Sequence, residues 1–260
     1  MERALWSSVS GMSAQQLSLD TIANNLANVN TTSFKGSQIR FQDMLYSVLK
    51  TPGATSGDAE VPTGTQIGYG TRVSEISKSF KQGSLKETNR DLDIAIEGDG
   101  FFEVILPDGT SAYTRDASFH TTNAGEVVTV DGYKVAGFDA IDQGTTEITI
   151  AGDGSFSSIV NGSQVPKTRL TLTLFTNPEG LRAMGRNLYQ PTESSGPAQS
   201  GNNPGENGSG FLAQRYLENS NVNPAQEMVN MIVTQRAYEA NSKAIRASDD
   251  MLEVANSLRR

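Results

Sequence analysis

The sequence predicts an α+β multi-domain protein in which helices at the two ends of the chain pair as a coiled coil and flank an antiparallel, β-rich middle domain. Near both termini, apolar residues recur at steps of three and four, which is the spacing of a helix seam. Between residues 80 and 175 the pattern changes to short runs separated by Gly-containing turns, which is typical of antiparallel strands. Both ends are electrically neutral, so the middle carries the whole formal net charge of −8.

The first helix is predicted within residues 1–36. Its seam follows a coiled-coil spacing that only polar Gln16 interrupts. The seam positions are Leu5, Val9, Met12, Leu19 and Leu26. A long stripe of this kind can also pack on the chain's own core. We favour helix pairing, because the stripe lies at the extreme terminus and follows a period of 3.5 residues.

Asparagines crowd the end of this helix, in the stretch NNLANVNTTSFKG at residues 24–36. Asparagine is a poor helix former, so its use here needs a reason. Asn24, Asn25 and Asn28 share the face opposite the apolar one, where amides can be hydrated in a free chain and hydrogen-bonded to neighbouring subunits in an assembly. Alternatively, the asparagines only end the helix, with Asn30 as a left-handed stop. Physical reasoning alone does not decide between the two.

A β-rich domain is predicted over residues 80–190. Two strong hairpin signals lie in it, Pro107-Asp108-Gly109 and Asp131-Gly132, each between apolar runs. Further strands are expected near residues 147–150, 156–160 and 169–175. Many short strands with regular turns indicate an antiparallel domain.

Two ranges around this domain are predicted to connect it to the terminal helices. Residues 37–79 are interpreted as an extended connecting segment, and residues 191–222 as a Gly/Asn-rich return linker. The stretches 50–70 and 191–210 are rich in Gly, Pro, Ser and Thr and lack periodicity. Such composition favours linkers, or segments that order only against a partner.

The C-terminal helix is predicted over residues 223–260. Asn223 suits its N-cap, Pro224 suits the first helical position, and Gln226 stands where a capping box places Glu or Gln. Its seam repeats every seven residues, at Met231, Tyr238, Ile245 and Leu252. We expect this seam to face that of the first helix.

The sequence offers little for catalysis or metal binding. With no cysteine and the single histidine His120, neither disulfides nor a zinc site of the usual kind is expected. The acidic run at residues 91–100 departs from the EF-hand pattern, because Ala95 replaces an oxygen ligand and Ile96 replaces the glycine. Phosphate loops and nucleophile elbows are missing from the sequence. We therefore expect no enzyme activity, cofactor or metal.

Charge and hydropathy limit the possible partners. A sequence pI near 4.8 argues against nucleic acid, since phosphate binding needs a basic face. The first residues lack the apolar run of a cleavable secretory signal, and no stretch approaches the roughly 20 apolar residues of a membrane span. We expect neither nucleic-acid binding nor direct membrane insertion.

Three blocks of the sequence carry distinctive motifs. At the N-terminus, Gly11 is followed by nine residues and then by TIANNLANVNT at residues 21–31, which TTSFKG continues. The other two blocks are YLENSNVNPAQEMVNMIVTQRAYEANSKAI at residues 216–245 and GFFEVILPDGTSAYTRDASF at residues 100–119. The two terminal blocks resemble those of the bacterial flagellar rod and hook protein family, and the middle block is similar to the first part of that family's β domain. The family-signature residues are thus Gly11, Asn24, Asn25, Leu26, Ala27, Asn28, Phe34 and Lys35.

Within the family, total length and the stretch between Tyr46 and Gln66 favour the distal rod class. Hook proteins are usually longer, and proximal rod proteins are usually shorter. The stretch, which also contains Pro52 and Pro62, resembles an insertion thought to fill subunit contacts and to keep the tube straight and stiff. Residues 190–210 match the family least, and nothing carries over to them.

The resemblance implies a structural subunit that assembles with itself into a hollow helical drive shaft, which transmits torque from motor to hook and forms the export channel. Residues 1–36 and 223–260 would form its inner core. Implied partners are the proximal rod proteins, the hook protein, the periplasmic and outer-membrane bushing rings and the flagellar export apparatus. The implied location is the basal body, from periplasm to outer membrane, reached without a cleaved signal peptide.

Alternatives stay open at this point. The chain could be a hook or other rod subunit of the same axial family. A freestanding β-rich binding module or adhesin would leave the terminal heptads without a role, and an enzyme would need convergent acids in a pocket of the β domain. If the chain is an assembly subunit, we expect both ends to be largely disordered in the free monomer and to order on assembly.

Overall fold

The computed structural model describes residues 2–51, 55–56, 59–60, 63–142, 144–160 and 163–257. Two long helices and a strand-rich middle are present, in agreement with the predicted α+β class. The chain divides into two compact units. The terminal unit comprises Met1–Ala27, Ser37–Lys78 and Asn223–Arg260, and the β unit comprises Asn28–Gly36 and Ser79–Val222.

The helices of the terminal unit are α1 (Glu2–Ala27) and α2 (Pro224–Ser257). The predicted N-cap of α2 is confirmed, because the Asn223 side-chain oxygen accepts hydrogen bonds from the backbone N–H groups of Ala225 (3.1 Å) and Gln226 (3.4 Å). The predicted capping box is wrong. The Gln226 amide instead reaches forward by one turn and donates to the side-chain oxygen of Asn230 at 3.1 Å.

Between the helices, the terminal unit contains antiparallel ladders. Its strands are β1 (Ser37–Asp43), β2 (Tyr46–Lys50), β3 (Thr55–Ser56), β4 (Ala59–Glu60), β5 (Thr65–Gly68) and β6 (Thr71–Lys78). β1 pairs with β6, β2 with β5, and β3 with β4. Backbone bonds from Met44 to Gly70 (2.9 Å) and from Tyr69 to Leu45 (3.1 Å) join the first two ladders end to end. We call this pair of joined ladders the arm.

The β unit is built from many short strands. They are β7 (Leu85–Glu87), β8 (Ile94–Glu97), β9 (Phe102–Ile105), β10 (Ser111–Thr114), β11 (His120–Thr121), β12 (Val127–Val128), β13 (Lys134–Val135), β14 (Thr145–Ile150), β15 (Phe156–Val160), β16 (Ser163–Pro166), β17 (Leu172–Leu174), β18 (Arg182–Gly185), β19 (Leu188–Gln190), β20 (Gln199–Asn202), β21 (Phe211–Gln214) and β22 (Tyr216–Glu218), with a short 3-10 helix at Pro178–Gly180. A seven-stranded sheet has the order β11-β12-β13-β9-β10-β19-β18.

Both predicted hairpins are confirmed in that sheet. β9 pairs with β10 across Pro107-Asp108-Gly109, and β12 pairs with β13 across Asp131-Gly132. Gly109 and Gly132 have φ values of +80° and +83°, which side chains with a Cβ rarely adopt, so the glycines permit these turns. The strands expected near residues 147–150, 156–160 and 169–175 correspond to β14, β15 and β17.

The range 191–222, which the composition led us to expect as a linker, contributes three strands. β20 pairs with β17, β21 with β8, and β22 with β7. Residues with positive φ, among them Gly201, Gly205, Asn207 and Gly208, turn the chain tightly between these short pairings. Composition rich in Gly and Asn therefore marks turns here rather than an irregular connection.

Two apolar clusters form the core of the β unit. The larger cluster consists of Ile94, Ile96, Phe102, Ala117, Phe119, Val127, Val135, Ile150, Phe156, Leu170, Leu172 and Leu212. The smaller one consists of Phe101, Tyr113, Phe175, Leu181 and Tyr189, with Phe80 packed against it. Its rings meet edge to face, for example Phe80 and Phe101 at 5.6 Å between centroids, an arrangement that aromatic quadrupoles favour.

Candidate functional site

α1 and α2 pack side by side and run in opposite directions. Near the start of α1, a Cβ atom on Gly11 would lie 2.8 Å from the Asn241 side-chain nitrogen. Near the end of α1, Asn25 lines the same cavity as Glu227, at the start of α2. Residue 11 therefore lies beside residue 241 and residue 25 beside residue 227, which defines an antiparallel pair.

Small and polar side chains fill the most buried positions of this helix pair. The buried residues of α1 are Ala14, Ser18, Ile22 and Asn25, and those of α2 are Thr234 and Ser248. The hydroxyls of Thr234 and Ser248 each donate to the backbone carbonyl four residues earlier, at 2.8 and 2.9 Å. Such bonds satisfy the buried oxygens and allow the two backbones to approach closely.

The seam residues predicted from the sequence lie beside this small-residue stripe. Those that are half-buried are Leu5, Met12, Leu19, Leu26, Met231, Ile245 and Leu252. Val9 is 47% exposed and Tyr238 is 37% exposed. Their role as a coiled-coil seam stays a prediction. A further signal was available in the sequence, since Thr234, Asn241 and Ser248 also repeat every seven residues.

Asn25 fixes the chain beyond the end of α1. Its side-chain oxygen accepts from the Ser37 N–H at 2.8 Å, and its nitrogen donates to the Ser37 carbonyl at 2.9 Å. Burial raises the pKa of the Glu227 carboxyl group, and the nearby Asn25 amide opposes this shift. Asn25 thus joins α1 to the first residue of β1 and lies beside the start of α2. The sequence-based prediction placed this amide against neighbouring subunits and missed its contact within the chain.

The neighbouring signature residues have different environments. Asn24 and Ala27 are exposed, and α1 ends at Ala27. In the β unit, the Asn28 side-chain oxygen accepts from the Thr31 hydroxyl at 3.1 Å. The left-handed residue in this stretch is Ser33, with φ of +53°, and not Asn30, so the predicted stop at Asn30 is wrong.

Lys35, the signature lysine, lies at the centre of a buried charge cluster in the β unit. Its ammonium group donates to the Glu218 carboxylate at 2.7 Å and to the Lys81 carbonyl at 2.9 Å. The other carboxylate oxygen of Glu218 accepts from Arg115 Nε at 3.0 Å, and the Gly83 N–H donates to Glu218 at 2.8 Å. Both signature ends of the chain therefore meet in one ion cluster.

The charged groups of the cluster are shielded from water and are stabilised by pairing with one another. Lys35 is 0% exposed, Glu218 is 2% exposed and Arg115 is 3% exposed. Burial, followed by the nearby Arg115 charge, lowers the pKa of Lys35, and Glu218 opposes this shift. Removing the carboxylate would leave two cations without their partner in a medium of low polarity, which is costly.

Further hydrogen bonds hold the signature segments around this cluster. The Ser33 hydroxyl donates to the Arg115 carbonyl at 2.8 Å. The Asn221 side chain accepts from the Gly36 N–H at 2.8 Å and donates to the Ser79 carbonyl at 2.7 Å. Phe34, which is half-buried, accepts from the Asn221 N–H through its carbonyl. The signature polar residues thus order the chain where it enters and leaves the β unit.

The predicted rod-type insertion maps to the arm. Tyr46 lies on β2 opposite Gly68 and is 53% exposed, and Gln66 lies on β5 opposite Val48. Pro52 and Pro62 lie outside the described residues. Exposed apolar side chains lie on or beside the β2–β5 ladder of the arm, namely Leu45, Tyr46, Val48, Leu49 and Ile67.

Large apolar side chains remain on the surface of the helix pair as well. They are Trp6, Val9 and Leu17 on α1 and Met228, Val229, Ile232, Val233, Tyr238, Met251 and Val254 on α2. Exposed apolar patches of this extent mark interaction surfaces. The arrangement is suited to binding other protein surfaces.

Metal sites and membrane-spanning helices are the two other features considered for the described residues. In that part of the chain, no group of three or more His, Cys, Asp or Glu side chains could hold a metal ion. None of the helices found in the same residues is long and apolar enough to cross a membrane.

Three family models match successive parts of the chain. The model described as "Flagella basal body rod protein" matches residues 5–35, "Flagellar hook protein FlgE/F/G D1 domain" matches residues 95–158, and "Flagellar basal body rod FlgEFG protein C-terminal" matches residues 213–258. The first and last include the two signature segments that meet at Lys35 and Glu218.

Curated relatives are similar to the chain along its whole length. The flagellar basal-body rod protein FlgG of Borreliella burgdorferi is 46% identical over 265 residues, which cover 100% of both chains. The protein of the same name from Buchnera aphidicola subsp. Acyrthosiphon pisum is 45% identical, covering 98% of this chain and 99% of the relative. The one from Caulobacter vibrioides is 42% identical over 99% of each.

Proposed function

The chain belongs to the flagellar basal-body rod protein family, and we propose on this premise that it is a structural subunit of the distal rod. The support is the similarity of the whole chain, arm included, to relatives named as FlgG rod proteins. The structural observation that supports the proposal is that most large apolar side chains of the terminal unit are exposed. A subunit of this kind reaches its final stability only when neighbours cover that surface.

In the rod, α1 and α2 form the inner core as a coiled coil and line a hollow export channel. The seven-residue repeat of Met231, Tyr238, Ile245 and Leu252 supports this proposal, as does the antiparallel packing of the two helices. The β unit faces outward, because the middle of the sequence carries the net negative charge and a charged surface suits solvent. The rod then transmits torque from motor to hook.

The proposed partners follow from this position. Copies of the chain contact each other, the proximal rod proteins contact one end of the assembly, and the hook protein contacts the other. The periplasmic and outer-membrane rings surround it as a bushing. The flagellar export apparatus delivers the chain to the basal body.

Electron cryotomography of the source bacterium with this gene deleted tests the proposal. We expect a motor that keeps its inner-membrane ring but has a rod that stops short of the outer membrane and bears no hook. Complementation with the unaltered gene is expected to restore the rod. A complete rod without a hook would instead assign the chain to the hook, and an intact flagellum would contradict an axial role.

A double variant tests the paired-helix part of the proposal. Leu26→Asp with Ile245→Asp places charges on the half-buried faces of α1 and α2 and is expected to abolish rod assembly while the β unit stays folded. Ala4→Asp with Arg246→Asp, at exposed positions of the same helices, is the matched control. Normal rods from the first variant would contradict the coiled-coil proposal.

A further inference from the structure

We propose that an apolar groove on the terminal unit binds the exposed apolar face of α2 from a second copy of this chain. The groove is formed by Trp6, Val9, Met44, Leu45 and Tyr69, and we call it the neck groove. The opposing surface, the α2 face, is formed by Met228, Val229, Ile232 and Val233. This inference rests on the proposed function and adds the identity of one subunit contact.

The neck groove is held in shape by backbone contacts. It lies where the two ladders of the arm join, beside the first turns of α1, and encloses a volume of about 410 Å³. The Thr71 N–H donates to the Ser10 hydroxyl at 3.3 Å and so ties the arm to α1. A Cβ on Gly70, whose φ is +115°, would overlap that hydroxyl, so the close approach requires glycine. These contacts fix the shape of the groove when the terminal unit is folded.

The side chains of the groove are exposed to an unusual degree. Leu45 is 84% exposed and Trp6 is 69% exposed. A tryptophan and a leucine this exposed, beside Met44 and Tyr69, form a continuous apolar patch of the kind that marks a protein interaction site. Arg3 lies at the rim, with its guanidinium 5.9 Å from the centre of the Tyr69 ring.

Charge distribution selects the α2 face as the occupant. Ser10 and Ser13 are the polar residues in the groove lining, and the lining contains no charged residue. The α2 face lies in the stretch MVNMIVTQ at residues 228–235, which is also free of charge. Interface centres are depleted of charged residues, so two uncharged apolar surfaces of one chain complement each other.

The other exposed apolar pair of α2 is a poorer match. Met251 and Val254 lie among Asp249, Asp250 and Glu253. Docking this region in the neck groove would bring carboxylates to an apolar surface and remove water from them, which is unfavourable.

The antiparallel helix pair prevents a chain from filling its own groove. Gly11 lies beside Asn241, so Val9, two residues earlier, lies near residue 243. The centre of the α2 face is about a dozen residues away along α2, or roughly 20 Å at 1.5 Å per residue. The two surfaces lie toward opposite ends of the pair, so we propose that binding between copies is head to tail, with a rotation that does not close into a ring. Repetition of such a contact builds an open filament.

The area of the contact is suited to a growing rod. Half-exposed large side chains each contribute on the order of 100 Å², so the nine residues together bury roughly 900 Å². This is just below the lower limit of about 1,000 Å² for a specific interface, so we propose that the contact is one of several that hold a copy in the rod. In a filament each copy makes the contact twice, once with its groove and once with its α2 face.

Disulfide cross-linking tests the contact directly, because the chain contains no cysteine. The variant Leu45→Cys with Val229→Cys is expressed in the deletion strain, and basal bodies are isolated and oxidised. We expect a ladder of dimers, trimers and longer species on non-reducing gels. Each single variant is expected to give no ladder, because residue 45 of one copy meets residue 229 of the next. Trp6→Cys with Ile232→Cys is an independent second pair.

The matched control is Leu45→Cys with Met251→Cys, since Met251 and Val229 are similarly exposed, at 53% and 54%. A ladder from the control in place of the test pair would overturn the proposal, as would dimers from Leu45→Cys alone, which indicate a two-fold contact. A compact cross-linked monomer would show that the chain fills its own groove. If basal bodies contain the variants but neither cysteine pair forms a cross-link, the proposed contact is wrong and the proposed function still stands. If basal bodies lack the unaltered chain, the proposed function itself is wrong.

Discussion

The two units of the chain place their apolar residues in opposite ways. In the β unit, large side chains such as Phe102, Phe119 and Leu172 are at most 2% exposed and fill closed clusters. In the terminal unit, Ala14 and Ile22 are the buried apolar residues among those described, while most large apolar side chains lie at the surface. A unit needs a buried core to be stable alone. We therefore expect the β unit to be stable alone and the terminal unit to depend on neighbouring subunits.

The buried polar groups of the two units also differ. The β unit buries an ion cluster that holds the signature segments in one arrangement, with Lys35, Arg115 and Glu218 at its centre. The helix pair buries hydroxyls and amides, such as Ser18, Asn25 and Thr234. Because these small groups occupy the contact between the helices, larger apolar side chains stay outside it. The same pattern that weakens the isolated pair therefore supplies surfaces for assembly.

Hydrogen exchange of the free chain gives the largest expected difference between the units. Core amides of β9 and β10 are expected to exchange at least about 1,000-fold more slowly than amides in the middle of α1 and α2, because local opening is easier where few apolar contacts are lost. Mass spectrometry of proteolytic fragments measures both sets in one experiment. The same measurement on isolated basal bodies is the control, and there the helices are expected to be protected. Equal protection of both units in the free monomer would contradict the expectation that the terminal unit is less stable alone than the β unit.

The ion cluster gives the next largest effect. Glu218→Ala leaves Lys35 and Arg115 buried without their carboxylate and is expected to lower the free energy of unfolding of the β unit by about 3–5 kcal/mol. Urea unfolding followed by near-ultraviolet circular dichroism measures it. Glu147→Ala, at an exposed position of β14, is the matched control and is expected to change it by less than about 0.5 kcal/mol. Equal effects of the two variants would show that the cluster contributes little.

Local signals explain which parts of the fold could be predicted. The hairpins at Gly109 and Gly132 and the N-cap at Asn223 depend on a few adjacent residues, so the sequence contains all of the information needed. The contact between Lys35 and Glu218 joins residues far apart in the chain, and neither residue type specifies its partner. The stripe with Ser18 and Thr234 was not predicted, because large apolar residues are the usual signal of a helix seam.

Titration of Tyr189 gives a smaller effect, confined to the β unit. Burial raises the pKa of its phenol to about 12 from an ordinary value of 10. Below pH 10 the group is protonated in both states. Between pH 10 and 12 the unfolded state loses the proton first, so the free energy of unfolding falls by up to about 1.4 kcal/mol per pH unit. Urea unfolding at pH 9, 10 and 11 measures this. Tyr189→Phe is expected to show a smaller decrease, and an identical decrease would exclude Tyr189 as its source.

Asn25 and Gln16, two amide residues of α1, give the smallest effect and test whether the terminal unit retains any specific order of its own. Asn25→Ala removes two hydrogen bonds to the Ser37 backbone and is expected to lower the free energy of unfolding of the terminal unit by about 1–2 kcal/mol, because buried backbone groups lose their partners. Gln16→Ala, at an exposed position of the same helix, is expected to change it by less than about 0.5 kcal/mol. Fluorescence of Trp6, the only tryptophan, follows unfolding of this unit in urea. Equal effects would indicate that Asn25 matters only through neighbouring subunits. A larger effect of Asn25→Ala in the free chain would show that the polar contacts already position the chain after α1 before assembly, so that neighbours add stability to an arrangement that the chain has itself selected.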